Sequence, residues 1–232
     1  MAVTEKVKKE NATLSRKKDI KAVIFDFDDT LVDEKFWIEN RWKRTISFVE
    51  NKLELKDFSR YFWKIFKERG PKYKYHINEA LSRLNKSQTL VTPIVNNFLF
   101  QISEERLFPG VIKCLNFLKR RFKLGIITNG KEETQVNRIR KARLYHFFDT
   151  IICGYEDPKP SLKPYKECIR QLGVVPSEAV YVSHDDKIDL KAAKKLGMLT
   201  VLFEPGTKPG AKQKQIDIRI GSYSDLIKVF RQ

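Results

Sequence analysis

The most informative residues of this chain are Ala22-Val23-Ile24-Phe25-Asp26-Phe27-Asp28-Asp29-Thr30-Leu31. A short apolar run that ends in polar residues is typical of a buried strand in a parallel sheet. In open α/β sheets the ligand crevice lies just past the carboxyl ends of the strands, which is where Asp26 is expected. Alternate residues of an extended segment point the same way, so Asp26 and Asp28 can converge on one site. Two carboxylates held there repel each other unless a cation or a metal-bound phosphate lies between them.

The segment after Phe108-Pro109-Gly110 alternates between helix and strand patterns. Strands are predicted over residues 124–128, 150–153, 179–182, 199–203 and 216–220. Helices are predicted over 111–120, 132–144, 164–172, 187–196 and from Ser224 onward. Strands that alternate with helices of this length indicate βαβ units, and therefore an α/β fold with a parallel sheet covered by helices on both faces.

Residues 34–106 contain no strand pattern. Their apolar residues recur at spacings of three and four, as on one face of an amphipathic helix. The four predicted helices centre on Ile38-Trp42-Ile46-Val49-Leu53, Phe58-Phe62-Ile65, Ile77-Leu81-Leu84 and Ile94-Phe98-Ile102. We therefore predict a helical domain at 34–106, a core domain formed by 20–33 and 107–232, and a flexible N-terminal extension at 1–19.

Composition limits the class of protein. The chain has 232 residues, of which 41% are hydrophobic, enough for one large core or one core with an inserted lobe. Its apolar runs are strand-sized, and Met1 to Asp19 shows no signal-peptide pattern, so no membrane partner is predicted. The three cysteines are scattered, which favours neither a disulfide framework nor a zinc site and suggests a reduced, cytoplasmic protein.

The formal net charge of +17 is compatible with nucleic acid, anionic metabolites or only a lysine-rich surface. The basic residues are spread along the chain, and no recognised nucleic-acid-binding module accompanies them. A small phosphorylated substrate needs no further assumption, although the charge alone does not exclude nucleic acid.

The stretch around Asp26 resembles the first motif of the haloacid dehalogenase-like (HAD) superfamily of phosphohydrolases. Leu124 to Gly130 resembles the second motif, and this implies that Thr128 and Asn129 bind the phosphoryl group. A polar residue that closes a strand is common, so this signal is weak alone. Lys159-Pro160 resembles the third motif; Lys163-Pro164 repeats the dipeptide, but only Lys159 has the family's usual offset from the following helix.

The fourth motif is irregular in this chain. It falls at Val180 to Asp189, and in the family its first acid binds magnesium. The common spacing places His184 at that acid, whereas a spacing one residue shorter places Asp185 there. Magnesium requires hard oxygen ligands, so we favour Asp185 and keep His184 as the alternative, which would lower magnesium affinity or favour another divalent cation.

The resemblance implies a Rossmann-like core with a helical cap inserted after the first motif. It also implies a phosphatase in which Asp26 is the nucleophile and Asp28 the general acid and base, because dehalogenases of the family lack the second acid. Lys159 would neutralise the phosphoryl group, and Mg²⁺ would bind at Asp26, Asp28, Asp185 and Asp189. Two alternatives stay open: a phosphomutase on this scaffold, and a non-enzymatic anion- or nucleic-acid-binding protein with a degraded metal site. The sequence predicts neither the individual substrate nor the oligomeric state.

Overall fold

The computed structural model describes residues 19–71, 73–101, 104–208 and 215–231. These residues form two compact units. One unit is Glu34–Arg106, and the other consists of the described residues on both sides of it. The predicted extension at residues 1–19 lies outside the described ranges except for Asp19, and Ile102 of the fourth predicted helix lies outside them as well.

A parallel sheet forms the centre of the larger unit. In the described residues its six strands are β1 (Ala22–Phe25), β2 (Lys123–Asn129), β3 (Thr150–Gly154), β4 (Ala179–Ser183), β5 (Leu199–Phe203) and β6 (Ile218–Ile220). Their order in the sheet is β3-β2-β1-β4-β5-β6. All neighbouring pairs are parallel. The predicted α/β fold with a Rossmann-like parallel sheet is confirmed.

Helices cover both faces of this sheet. They are α5 (Val111–Lys119), α6 (Glu132–Lys141), α7 (Lys163–Leu172), α8 (Asp189–Leu196) and α9 (Tyr223–Arg231). The numbering starts at five because the four preceding helices of the chain lie in the other unit. One apolar cluster joins β1 to α5, α6 and α9, and a second joins β1 to α7 and α8. The sheet is thus the middle of three layers.

Strand β1 is apolar on both sides because both sides are buried. Val23 and Phe25 belong to the first cluster, whereas Ala22 and Ile24 belong to the second. Burying a side chain such as Phe25 contributes about 1.5–3 kcal/mol, so an uninterrupted apolar run is favoured at this position. Phe25 pairs in register with Ile126 of β2 and Val182 of β4. Asp26 therefore follows β1 at the carboxyl edge of the sheet, between strands β2 and β4.

All regular secondary structure in the described residues of the smaller unit is helical. It consists of α1 (Glu34–Lys52), α2 (Phe58–Arg69), α3 (His76–Arg83) and α4 (Val91–Phe100), with a 3₁₀ turn at Gln88–Leu90. Its core is aromatic: the Trp42 ring lies 4.1 Å from that of Phe98 and 4.6 Å from that of Phe62, measured between centroids. Arg41 donates to the carbonyls of Phe98 and Leu99, each at 2.6 Å, and so ties α1 to the end of α4.

Three element boundaries differ from the prediction by two residues or more. The helix predicted over 132–144 ends at Lys141 and continues as a 3₁₀ turn at Tyr145–Phe147. The helix predicted from residue 187 begins at Asp189, because the Asp185 carboxylate instead accepts hydrogen bonds from the amides of Lys187 and Ile188. The last strand is shorter than predicted, at Ile218–Ile220. None of the helices in the described ranges is long and apolar enough to cross a membrane.

Candidate active site

Asp26 lies just past the carboxyl end of β1 and is only 4% exposed. Its amide donates to the carbonyl of Val182, which fixes the backbone against β4. The carboxylate has a different partner at each oxygen. Oδ1 accepts from the Lys159 ammonium at 2.6 Å, and Oδ2 accepts from the Thr30 hydroxyl at 2.9 Å. A buried carboxylate bonded at both oxygens has a defined orientation.

Lys159 joins Asp26 to a second buried acid. Its ammonium also donates to Asp189 Oδ2 at 2.6 Å, and that oxygen accepts from the Ser183 hydroxyl at 2.9 Å and lies 3.3 Å from the Tyr181 hydroxyl. The three charged side chains are 5–6% exposed. Asp189 at the start of α8 therefore helps to aim the lysine at Asp26.

The ionisation of this group follows from its contacts. Burial alone would raise the pKa of Asp26, but Lys159 and His184 outweigh burial and lower it to about 2. Burial and the neighbouring charge of Asp26 raise the pKa of Asp189 despite the lysine. Burial would lower the pKa of Lys159, but the two carboxylates raise it. Asp26 is thus an ionised carboxylate held beside a charged ammonium.

The end of β2 positions the Lys159 loop. The Asn129 side-chain oxygen accepts from the Lys159 amide at 2.8 Å, and its Nδ2 lies 3.4 Å from the Lys159 carbonyl. Thr128, which is 1% exposed, accepts from Gln135 Nε2 at 2.7 Å. The predicted residues Thr128 and Asn129 therefore lie in this network, Asn129 as a support for the lysine backbone. Lys163, the alternative lysine, instead pairs with Asp157 in solvent.

Asp28 is held by a helix that sequence reasoning left without a functional role. Arg138 of α6 places Nη2 2.7 Å from Asp28 Oδ1, an ion pair whose angles are not those of a hydrogen bond. Gln135, one turn earlier, lies 3.4 Å from Asp28 Oδ2. The Arg138 guanidinium also lies over the Phe27 ring at 5.1 Å. In the sequence these two residues appear only as a glutamine and an arginine three positions apart on one helix face, and this pattern does not indicate a contact with Asp28.

The irregular fourth motif places His184, rather than Asp185, beside Asp26. His184 Nδ1 lies 3.3 Å from Asp26 Oδ2, and the His184 amide donates to Thr30 Oγ1 at 3.1 Å. Burial would lower the pKa of His184, but the hydrogen bond and charge of Asp26 raise it. The roles predicted for Asp185 and Asp189 as metal ligands stay predictions. In the structure Asp185 caps the turn before α8 and Asp189 binds Lys159.

The donor set allows a divalent cation but does not present a complete cage. In the described part of the chain, no three or more His, Cys, Asp or Glu side chains are grouped to hold a metal. Asp26 supplies carboxylate oxygens, and His184 supplies a nitrogen beside Asp26 Oδ2. These groups fit a cation that takes mixed oxygen and nitrogen ligands and completes its shell with water or substrate oxygens.

The arrangement provides the parts of a phosphoryl-transfer site. An ionised carboxylate can act as a nucleophile, and the ammonium beside it can neutralise the charge of an incoming phosphate. A second acid lies two residues later and is oriented by Arg138. These functions come from the end of β1, from the loop after β3 and from α6.

Comparison with known proteins identifies the family of the chain. The model of the haloacid dehalogenase-like hydrolase family matches residues 23–203. The glyceraldehyde 3-phosphate phosphatase of Methanocaldococcus jannaschii is 28% identical, over 91% of this chain and 97% of that protein. The enzyme of the same name from Pyrococcus furiosus is 30% identical, over 90% and 88%. A 2-haloacid dehalogenase structure from Pseudomonas syringae has a TM-score of 0.63 and 25% identity, over 90% of this chain and 97% of that one.

The family match spans most of the chain and includes Asp26, Thr128, Lys159 and Asp189. It confirms the resemblance on which the functional prediction rests. The predicted phosphatase class is also the class that the two curated relatives carry by name. The chain therefore belongs to the haloacid dehalogenase-like hydrolases.

Proposed function

We propose that this protein is a metal-dependent phosphatase that hydrolyses a small phosphomonoester through an aspartyl-phosphate intermediate. The observation that carries the proposal is the Asp26 carboxylate, which is buried and ionised and is held at 2.6 Å by Lys159. An ionised carboxylate of low pKa is also a good leaving group, so the same residue suits both the formation and the hydrolysis of an acyl phosphate.

In the proposed mechanism, a carboxylate oxygen of Asp26 attacks phosphorus and the alcohol of the substrate leaves. Lys159 neutralises charge on the phosphoryl oxygens, and Thr128 offers its hydroxyl to one of them. Asp28 gives a proton to the leaving alcohol and then takes one from the water that hydrolyses the intermediate. Arg138 and Gln135 orient Asp28 for these transfers.

A divalent cation at Asp26 and Asp28 would offset the repulsion between the carboxylates and the phosphate. The prediction of Mg²⁺, with Asp185 and Asp189 as further ligands, belongs to this proposal. So does the predicted cytoplasmic location, which the three free cysteines support.

The acid at Asp28 supports phosphate chemistry over dehalogenation. Dehalogenases of the family lack an acid at this position, as the sequence resemblance implies. Here the acid is present, and its Oδ1 forms an ion pair with Arg138 Nη2 at 2.7 Å. Phosphatase activity is therefore preferred even though a dehalogenase has a similar structure.

Small phosphorylated carbon compounds are the proposed substrate class. The two curated relatives are named for glyceraldehyde 3-phosphate, which makes that compound the first natural substrate to test. We also propose that the helical unit at Glu34–Arg106 acts as a cap that selects the substrate. Its chain leaves the core at Asp33, close in sequence to Asp28, and returns at Leu107, which bridges to Val32.

The test is hydrolysis of p-nitrophenyl phosphate with and without a divalent cation. Wild-type protein should release phosphate only with metal, and Asp26→Asn should abolish release. Asp149→Asn is the control, because Asp149 lies at the opposite end of the sheet and accepts from the Leu124 amide. Release that persists in Asp26→Asn would refute the proposed nucleophile.

One observation favours a competing function, binding without turnover. An imidazole lies beside Asp26 Oδ2, at the residue where the common spacing of the family's fourth motif places an acid. Absence of hydrolysis with Mg²⁺, Mn²⁺ and Co²⁺, together with tight binding of phosphate or a phosphorylated compound, would support that function instead.

A further inference from the structure

The imidazole of His184 is fixed against the proposed nucleophile by two contacts. Its Nδ1 lies 3.3 Å from Asp26 Oδ2 and 3.3 Å from Thr30 Oγ1. The backbone amide of His184 donates to the same threonine oxygen at 3.1 Å. The side chain is 40% exposed, whereas that of Asp26 is 6% exposed. His184 therefore links a buried carboxylate to solvent, where a hydrated ion can enter.

The imidazole is an unusual ligand for a magnesium site. The carboxylates of Asp26, Asp28 and Asp189 face the cations of Lys159 and Arg138. The charge of Asp29 also acts on His184. Mg²⁺ gains from carboxylate charge and hard oxygen ligands, and it binds imidazole weakly. Mn²⁺, Co²⁺ and Zn²⁺ form stronger bonds to imidazole nitrogen.

Asp185 is less well placed to replace the imidazole. Its Oδ1 accepts the amides of Lys187 and Ile188 at 2.9 and 2.8 Å, and its own amide donates to Ser183 Oγ at 3.1 Å. These bonds form the turn that starts α8. Turning the carboxylate toward Asp26 would leave both amides without this acceptor.

We propose that this site binds a transition-metal divalent cation in preference to Mg²⁺, with the His184 imidazole and the Asp26 carboxylate as ligands. Water or substrate oxygens would complete the shell. The inference deepens the proposed function and rests on it for the role of the metal in turnover, but binding is measured without turnover.

The experiment is electron spin-echo envelope modulation of Mn²⁺ bound to the full-length protein without substrate. A ligating imidazole couples the ¹⁴N nucleus to the electron spin and produces a characteristic modulation. Wild-type protein should show this modulation and should bind Mn²⁺ at least about tenfold more tightly than Mg²⁺ in a competition titration. The chain has three histidines. His146→Gln, at an exposed position, is the control for adventitious nitrogen ligands and should leave the modulation unchanged.

Two variants separate the alternative ligands. His184→Asp should lose the modulation and gain at least about tenfold in Mg²⁺ affinity, since it adds a carboxylate. Asp185→Asn should keep the modulation and the Mn²⁺ affinity. Bound Mn²⁺ without ¹⁴N modulation in wild type, loss of Mn²⁺ binding in Asp185→Asn, or no binding of any divalent cation would each overturn the inference.

These results are distinguishable from failure of the proposed function. A ¹⁴N signal without hydrolysis in any metal supports the metal site and refutes the phosphatase. Hydrolysis with Mg²⁺ and no ¹⁴N signal supports the phosphatase and refutes the metal site.

Discussion

Replacement of Lys159 by methionine tests the arrangement on which the site depends. The lysine is the shared cation of Asp26 and Asp189, at 2.6 Å from each, and all three side chains are nearly buried. Removing one partner of a buried ion pair costs about 3–5 kcal/mol, because the remaining charge stays desolvated without compensation. We expect Lys159→Met to lower the free energy of unfolding by about 3–5 kcal/mol at neutral pH and to abolish phosphatase activity.

The chain provides a matched control in its second Lys-Pro dipeptide. Lys163 pairs with Asp157 at 2.8 Å, but the two side chains are 76% and 43% exposed. An exposed pair contributes at most about 1 kcal/mol, because water and salt screen both charges. Lys163→Met should therefore change the free energy of unfolding by less than about 1 kcal/mol and leave hydrolysis intact.

The pH dependence gives a second signature of the buried pair. Without the lysine, the carboxylates of Asp26 and Asp189 raise each other's pKa above the unfolded value. The folded variant then binds more protons than the unfolded chain as the pH falls. The stability difference between Lys159→Met and wild type should therefore shrink from pH 7 to about pH 5. Urea unfolding at both pH values measures this. Equal losses for the two lysine variants, or a larger difference at the lower pH, would refute the reasoning.

Three further predictions concern other parts of the molecule. Arg138→Met should lower kcat at least about tenfold with little change in KM, because Asp28 loses its orienting cation. Arg138→Lys should recover part of the loss. Steady-state kinetics measure both effects, and an unchanged kcat in Arg138→Met would contradict the prediction. Burial lowers the pKa of His76, so the unfolded chain binds a proton at a higher pH than the folded chain does. The melting temperature should therefore fall as the pH drops below about 6.5, and more steeply in wild type than in His76→Phe. Identical slopes in the two proteins would exclude this role. Gly125→Ala would place its methyl group 2.8 Å from Cys168 Sγ. It should lower the free energy of unfolding in urea by about 1–3 kcal/mol, because the core is overpacked. If the double variant with Cys168→Ala recovered none of this stability, overpacking would be excluded as the cause.

Much of the fold could be predicted because it depends on local patterns. The apolar run of β1 and the alternation of strands and helices after Gly110 follow from side-chain periodicity and turn residues, and the parallel sheet follows from that alternation. The preference for Lys159 over Lys163 rested on its offset from α7. The structure places Lys159 on Asp26 and Lys163 in solvent.

The site residues that the sequence did not indicate come from helix α6. Arg138 and Gln135 belong to no chemical motif, and their contacts with Asp28 depend on how α6 packs against the strand ends. An amphipathic helix face gives no sign of which buried polar residue will meet a carboxylate distant in sequence.

The sequence by itself determined the order of elements, the family and the two acids at the end of β1, because each is a local pattern of residue types. Only the tertiary structure decided which residue of the fourth motif stands beside Asp26. His184 and Asp185 are adjacent, so a change of one residue reverses which of them faces the site. The bonds of Asp185 to the amides before α8, and of His184 to Thr30, settle that choice in the fold. The bond of His184 to Thr30 joins segments 154 residues apart in the chain, and no local pattern records it.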